Sequence, residues 1–251
     1  MQSQVMTVAE LISRADQVVA LTGAGLSVDS GIPAFRGSQG LWERYDPMEF
    51  ASIEAFQADP ARVWGMLLEL DGLVRGARPN PAHEALARLE GLGRLQAVVT
   101  QNIDGLHQAA GSRHVIEFHG NGRRLRCLSC GRQLGRAEVL FDPLPPRCAC
   151  GGLVKPDIVF FGEPIPERAA MTAFTLASSC QVMLVVATSA VVAPASHLPL
   201  LAKGGGATVV EINLEPTALS QRISDHVIHQ SASLVLPLIA DAVADLVEAG
   251  A

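Results

Sequence analysis

Four cysteines fall in two close pairs, Cys127-Leu-Ser-Cys130 and Cys148-Ala-Cys150, with residues 131–147 between them. Four thiolates at such spacing can close a tetrahedral zinc site in which the protein takes every position, so the ion is structural and offers substrate or water no open place. The second pair is tighter than the commoner C-x-x-C, and Gly151 and Gly152 are at hand to relieve its backbone. Reduced thiols in a core are the alternative. Catalysis must then rest on other residues, and three groups qualify: a glycine loop at 23–25, a polar run of Gln101, Asn102 and Asp104, and His119 next to Gly120.

Each of these groups follows an apolar run that reads as a buried strand. Thr22-Gly23-Ala24-Gly25 comes after the run 18–21, and its small residues would let the backbone approach a pyrophosphate and donate N–H groups to it. The dinucleotide fingerprint wants a third glycine where Val28 stands and an acidic residue about twenty positions on, and neither is present. Gln101, Asn102 and Asp104 follow the run 95–99, at the strand end where open α/β sheets bind ligands. There Asp104 can accept from an amide, while the two carboxamides donate and accept. His119 follows 115–118, where a near-neutral imidazole can take a hydroxyl proton, although a lone histidine is more often structural.

The elements that would position these groups alternate. Further strands are expected at 157–160, 182–187 and 208–212, and helices at 60–73, from Asn80 with Pro81 in its first turn, at 166–178 and at 234–248. Thr7 and Glu10 have capping-box spacing, which predicts a helix over 7–15. This rhythm implies an α/β fold, a doubly wound, Rossmann-like parallel sheet formed by residues 1–120 and 154–251. Residues 121–153 break it with Arg, Cys, Gly and Pro and read as a small inserted zinc-ribbon module.

GAGLSVDSGIPAFRG (23–37), TQNIDGLH (100–107) and the run Glu117-Phe-His-Gly120 resemble the motifs of the silent-information-regulator (sirtuin) family, in its order and spacing. The four-cysteine ribbon also falls where that family has one, just after the histidine. The resemblance spans about residues 7–245 and implies NAD-dependent removal of acetyl or longer apolar acyl groups from lysine, yielding nicotinamide, O-acetyl-ADP-ribose and free lysine. By resemblance His119 is the catalytic base, Asn102 and Gln101 position the nicotinamide ribose and a water, and Asp104 and Ile103 hold nicotinamide. Gly23, Ala24, Gly25, Phe35, Arg36, Thr188, Ser189, Asn213, Leu214, Ser231 and Ala232 complete the NAD site. Val159, Phe160 and Phe161 in KPDIVFFGE (155–163) would receive the acyl-lysine peptide, and Cys127, Cys130, Cys148 and Cys150 would hold one structural zinc ion.

The chain departs from the family pattern at Ala187, where a glycine is usual, and at Gln230-Ser-Ala-Ser233, where a G-K-A-G loop is usual. Leu67 and Leu70 stand at the positions of the Tyr-x-x-Arg pair that marks enzymes for acidic acyl groups. Two rivals share some of these features: protein ADP-ribosyl transfer, which also cleaves NAD, and a non-catalytic zinc-ribbon interaction module. A nicotinamide dehydrogenase fits less well, lacking the third glycine and the acidic residue.

Composition narrows the partners. With 19 Lys+Arg against 25 Asp+Glu, the chain has no electrostatic footprint for nucleic acid or anionic membrane. No apolar run reaches the length of a membrane helix and the start lacks a signal-peptide pattern, so a soluble cytoplasmic protein acting on an acyl-lysine protein or peptide is expected. The oligomeric state is left open, a monomer included. Cys180 and the other six histidines are read as structural.

Overall fold

The computed structural model describes residues 1–34 and 40–250, so Phe35 and Arg36 lie outside the described residues. The strands are β1 (Val18–Thr22), β2 (Ala97–Thr100), β3 (Val115–Glu117), β4 (Gly120–Cys127), β5 (Gln133–Leu134), β6 (Val154–Ile158), β7 (Val182–Val186), β8 (Thr208–Asn213) and β9 (His226–His229). The helices are α1 (Gln2–Arg14), α2 (Pro47–Phe50), α3 (Ile53–Ala58), α4 (Pro60–Gly76), α5 (Pro81–Gly91), α6 (Leu106–Ala109), α7 (Glu167–Ser179), α8 (His197–Gly204) and α9 (Ala232–Ala249). Six strands form one parallel sheet in the order β3-β2-β1-β7-β8-β9. Counted within that sheet alone, this is the 3-2-1-4-5-6 order of dinucleotide-binding folds, whose ligand crevice opens where the order reverses, here between β1 and β7.

Both faces of the sheet are covered, and the two-residue period of the strands assigns side chains to them. Val18, Ala20, Leu184 and Val186 pack with α1, α5 and α9, while Val19, Leu21, Met183 and Val185 pack with α7 and α8. Each fully buried Val, Leu or Ile contributes about 1.5–3 kcal/mol, so this double burial is the main stabilising term. A third cluster joins α3 and α4 to the small antiparallel sheet β5-β4-β6, with Trp64 Nε1 donating to Val154 O at 2.9 Å.

Two expectations fail for physical reasons, and one strand was not anticipated. Helix α1 begins at Gln2, and Thr7 is inside it with Oγ1 donating to Ser3 O. The apolar stripe Val5, Val8, Ala9 and Ile12 packs on α9, and that burial outweighs a local cap. Of the strand expected at 157–160 only residues 157 and 158 are strand, as the end of β6, which pairs antiparallel with β4 outside the main sheet. A short apolar run fits either setting, so its pattern does not say which sheet it joins. Strand β9 was not foreseen, because His226 and His229 bracket only two apolar residues. The Asn80 cap is present as expected: its side chain accepts from Ala82 N and His83 N while donating to Leu26 O, so it also holds the 3-10 turn Ala24–Ser30.

His83 and His107 are fully buried behind β1 and β2, with ring centroids 5.0 Å apart. Burial lowers His83 to about 4 and His107 to about 3, so both are neutral in the native state. An unfolded chain takes up these protons near 6.5. Their contribution is therefore complete above that value and is lost as pH falls from it through about 4 and then about 3. Urea midpoints measured from pH 7.5 to 5 should fall below pH 6.5, each histidine steepening the slope toward about 1.4 kcal/mol per pH unit. A flat profile would contradict neutral burial of the pair.

Candidate functional site

A cavity of about 700 Å3 opens at the carboxyl ends of β1, β2, β7 and β8, within the range of small-molecule and cofactor sites. It collects Gly23, Ala24, Gly25, Gln101, Asn102, Ile103, His119, Val159, Phe160, Phe161, Thr188, Ser189, Asn213, Leu214, Ser231 and Ala232, residues far apart in the chain. Asp104 lies instead on an adjoining recess of about 70 Å3, which shares Ala24, Leu70, Asn102 and Ile103 with the main cavity.

The glycines serve the loop differently from the sequence expectation. Gly23 N donates to Val186 O and Gly25 N to Ala187 O, so these two N–H groups stitch the loop to the end of β7 and are not offered to a pyrophosphate. A Cβ on Gly23 would lie 2.5 Å from Thr188 Cβ, and one on Gly25 would lie 2.9 Å from Ala187 O. Small residues are thus required for strand exits to meet. Ala187 adopts φ +51°, the left-handed region, which explains why glycine suits this place and marks the alanine as mildly strained.

His119 is half-buried at the end of β3. Its Nδ1 lies 3.2 Å from Gln101 O, and because a carbonyl only accepts, Nδ1 carries the proton and Nε2 is the free base. Burial lowers its pKa, which outweighs the raising effect of the Gln101 carbonyl, so the ring is neutral near pH 7. The following residue must be glycine: Gly120 has φ +78°, and a Cβ there would stand 2.1 Å from Asp157 O. Val159 N donates to His119 O at 2.9 Å, tying His119 to the segment expected to receive a peptide.

The polar run is held just as firmly. Asn102 Nδ2 donates to Gly23 O (3.0 Å) and Ser27 Oγ (3.2 Å), so both amide protons are spent and Oδ1 is the group left for a ligand. Asp104 accepts from Ser27 Oγ at 2.7 Å and Leu106 N at 2.9 Å, and a carboxylate's remaining acceptor sites can meet a carboxamide. Gln101 Nε2 donates to Thr188 Oγ1 at 3.0 Å, linking the ends of β2 and β7.

On the other wall, Phe160 is buried against Phe56, with centroids 5.6 Å apart, and Phe161 bridges to Ser52. Lys155 Nζ, itself buried, binds Ile158 O (2.6 Å) and Glu163 Oε2 (2.9 Å), and Glu163 Oε2 accepts from Phe160 N (2.8 Å). This clamp sets the turn that carries both phenylalanines. Sequence reasoning missed Trp42, Met66 and the wall from Glu215 to Thr217 as lining residues. Met66 falls in the apolar stripe of α4 and reads as core, and Glu215 follows a strand with no motif to mark it.

The four cysteine sulfurs lie within 4.8 Å of one another, with Cys127 Sγ to Cys150 Sγ 3.5 Å and Cys130 Sγ to Cys148 Sγ 3.9 Å. Tetrahedral zinc at about 2.3 Å from each thiolate sets sulfur separations near 3.8 Å, so the cluster fits one such ion. Cys180 is buried, as expected, with its thiol pushed up to about 11 by burial.

The Sir2 family model matches residues 23–194. The NAD-dependent protein deacylase 2 of Pyrobaculum aerophilum is 48% identical over 239 residues, covering 95% of each chain. A solved Sir2 homologue in complex with NAD superposes with TM-score 0.90 at 41% identity, over 96% of this chain and 94% of that one. Sir2Af2 bound to a myristoylated histone peptide gives TM-score 0.83 at 38% identity, over 99% of this chain and 100% of that one.

Trp64 reports on the cysteine module, since its indole meets Phe141 at 5.4 Å as well as Val154 O. Stripping metal with a strong chelator, or Cys130→Ala, should expose this ring and shift tryptophan emission to the red, with activity lost. An unchanged spectrum with a zinc-free protein would contradict a metal-dependent module.

Proposed function

The chain belongs to the Sir2 family, and on that premise we propose that it is an NAD-dependent protein-lysine deacylase with His119 as its general base and residues 159–161 as its peptide edge. The observation that carries the reading is the free Nε2 of a neutral imidazole on the wall of one cavity shared by the glycine loop and the peptide edge. NAD supplies a glycosidic bond whose cleavage releases nicotinamide and leaves an electrophilic ribose carbon for the acyl oxygen.

The chain's own groups do the rest. Asp104 and Ile103 take the nicotinamide carboxamide in the small recess, and Asn102 Oδ1 orients the ribose or a water beside it. His119 Nε2 draws the proton from a ribose hydroxyl, with Gln101 O fixing the tautomer throughout. Thr188, Ser189, Asn213 and Leu214 receive the adenosine half, with Ser231 and Ala232 at the adenine. One water is consumed as the amide C–N bond breaks and the acyl group passes to the ribose, so NAD, acyl-lysine and water give free lysine, nicotinamide and O-acetyl-ADP-ribose. The zinc ion, with four protein thiolates, has no place in these steps.

The acyl group meets apolar walls. Met66, Leu67 and Leu70 line the cavity, and burying an unpaired carboxylate against them would be costly, so acetyl and longer apolar chains are favoured over succinyl. Among the described residues no helix is long and apolar enough to cross a membrane. We place the protein in the cytoplasm, where thiolates stay reduced for zinc.

Purified protein given NAD and an acetyl-lysine peptide should release nicotinamide and deacetylated peptide in equal amounts, and His119→Ala should lose at least about a hundredfold in rate. Nicotinamide without deacetylation would favour ADP-ribosyl transfer. Because burial lowers His119, the acid inflection of kcat/KM should lie below the ordinary 6.5. An inflection above 7 would contradict the buried neutral base.

A further inference from the structure

Strand β8 hands the chain to β9 without the helix that usually carries a parallel crossover. Residues 214–225 form turns, and the first of them, from Leu214 to Thr217, wall the adenosine end of the main cavity. A segment of this length without secondary structure needs some other means of order.

Glu211 on β8 supplies it. Its side chain is fully buried and lies outside the cavity wall. Oε1 accepts from Asn213 Nδ2 (3.1 Å) and Thr217 Oγ1 (2.5 Å), and Oε2 accepts from Ser220 Oγ and Ser224 Oγ (2.8 Å each). A carboxylate has about four acceptor sites, and here neutral donors fill them all. Those donors are themselves engaged in shaping the loop: Thr217 Oγ1 accepts from Leu219 N, and Ser220 Oγ accepts from Thr217 N. Asn213 spends its other amide proton on Thr188 O, so the same carboxylate braces the ends of β7 and β8 together.

The geometry points to Glu211 as a positioning residue for the adenosine half of NAD, acting through Asn213 and the wall from Leu214 to Thr217. This rests on the reading that the cavity holds NAD. An apolar residue would suit the strand, whose neighbours Val209, Val210 and Ile212 are apolar and buried, but it would leave three hydroxyls and an amide without their common acceptor. The wall would then lose its fixed distance from Thr188. The peptide edge and His119 are held by other bonds, to Ala51, Gln101 and Glu163, and do not depend on this carboxylate.

Ser220 and Ser224 do not line the cavity, so Ser220→Ala with Ser224→Ala tests the anchor without touching a ligand contact. The double variant should bind ADP-ribose, measured by calorimetry, and NAD, measured as KM, roughly tenfold more weakly, with peptide KM and saturated kcat within about twofold of the parent. Glu211→Gln should stay within about threefold on every constant, because its amide can donate to hydroxyls that turn to accept, whereas Glu211→Leu should show the largest loss of ADP-ribose affinity. Parental ADP-ribose affinity in the serine double variant, or an equal loss of peptide KM and kcat, would overturn the assignment. A parent protein that binds neither ADP-ribose nor NAD would overturn the reading of the cavity itself.

Discussion

The contact on which the rest depends is the meeting of two strand exits at the reversal of the sheet. Gly23 and Gly25 bring the loop after β1 against Ala187 and Thr188 after β7, with two backbone hydrogen bonds and no room for a side chain between them. In an open parallel sheet the carboxyl ends of the central strands would otherwise diverge around a ligand. Here they are pinned first, and the cavity is what remains between the pinned loop and the elements that approach it. Gln101 and Asn213 then attach β2 and β8 to the same point, through Thr188 Oγ1 and Thr188 O respectively. Thr188 is therefore a hub by position: its backbone and side chain receive the ends of strands on both sides.

That arrangement also explains why the imidazole of His119 can be both rigid and neutral. His119 hangs from the end of β3 through Gln101 O and from the small sheet through Val159 N, and Gly120 lets β4 pass close to Asp157. The cysteine cluster is linked to the site at a distance, because β4 and β6 run from it to His119 and to the segment 159–161. A structural ion there would fix these strands, and Trp64 and the rest of the third cluster couple them to α4, whose Leu67 and Leu70 line the cavity.

Much of this was legible in the sequence where a local pattern has a single physical meaning. Buried runs such as 182–187 gave strands, the Asn80-Pro81 pair gave a helix start, and the cysteine spacing gave a cluster. Candidates for a site could be named because ligand contacts in such sheets sit at strand ends and the family resemblance singled out particular ends, and one cavity gathers most of those residues. What could not be read was set by partners distant in the chain. Thr7 looks like a cap until α9 covers the turn before it, and 157–160 looks like a central strand until β4 claims its edge. Gly23 and Gly25 read as a phosphate cradle, yet their N–H groups are committed to β7.

Glu211 shows the same limit from the other side. A single acidic residue in an apolar strand carries no motif, and by pattern it would count as an outlier in β8. Its meaning lies in the loop that follows, where Thr217, Ser220 and Ser224 resemble any polar turn until they converge on one buried carboxylate. A helix would satisfy its own backbone groups, whereas in this crossover Thr217 Oγ1 and Ser220 Oγ accept from the backbone of Leu219 and Thr217 and pass their own protons to the carboxylate. With no helix in the crossover, the wall from Leu214 to Thr217 takes its order from the buried carboxylate behind it, through side chains that lie outside the cavity lining at Ser220 and Ser224.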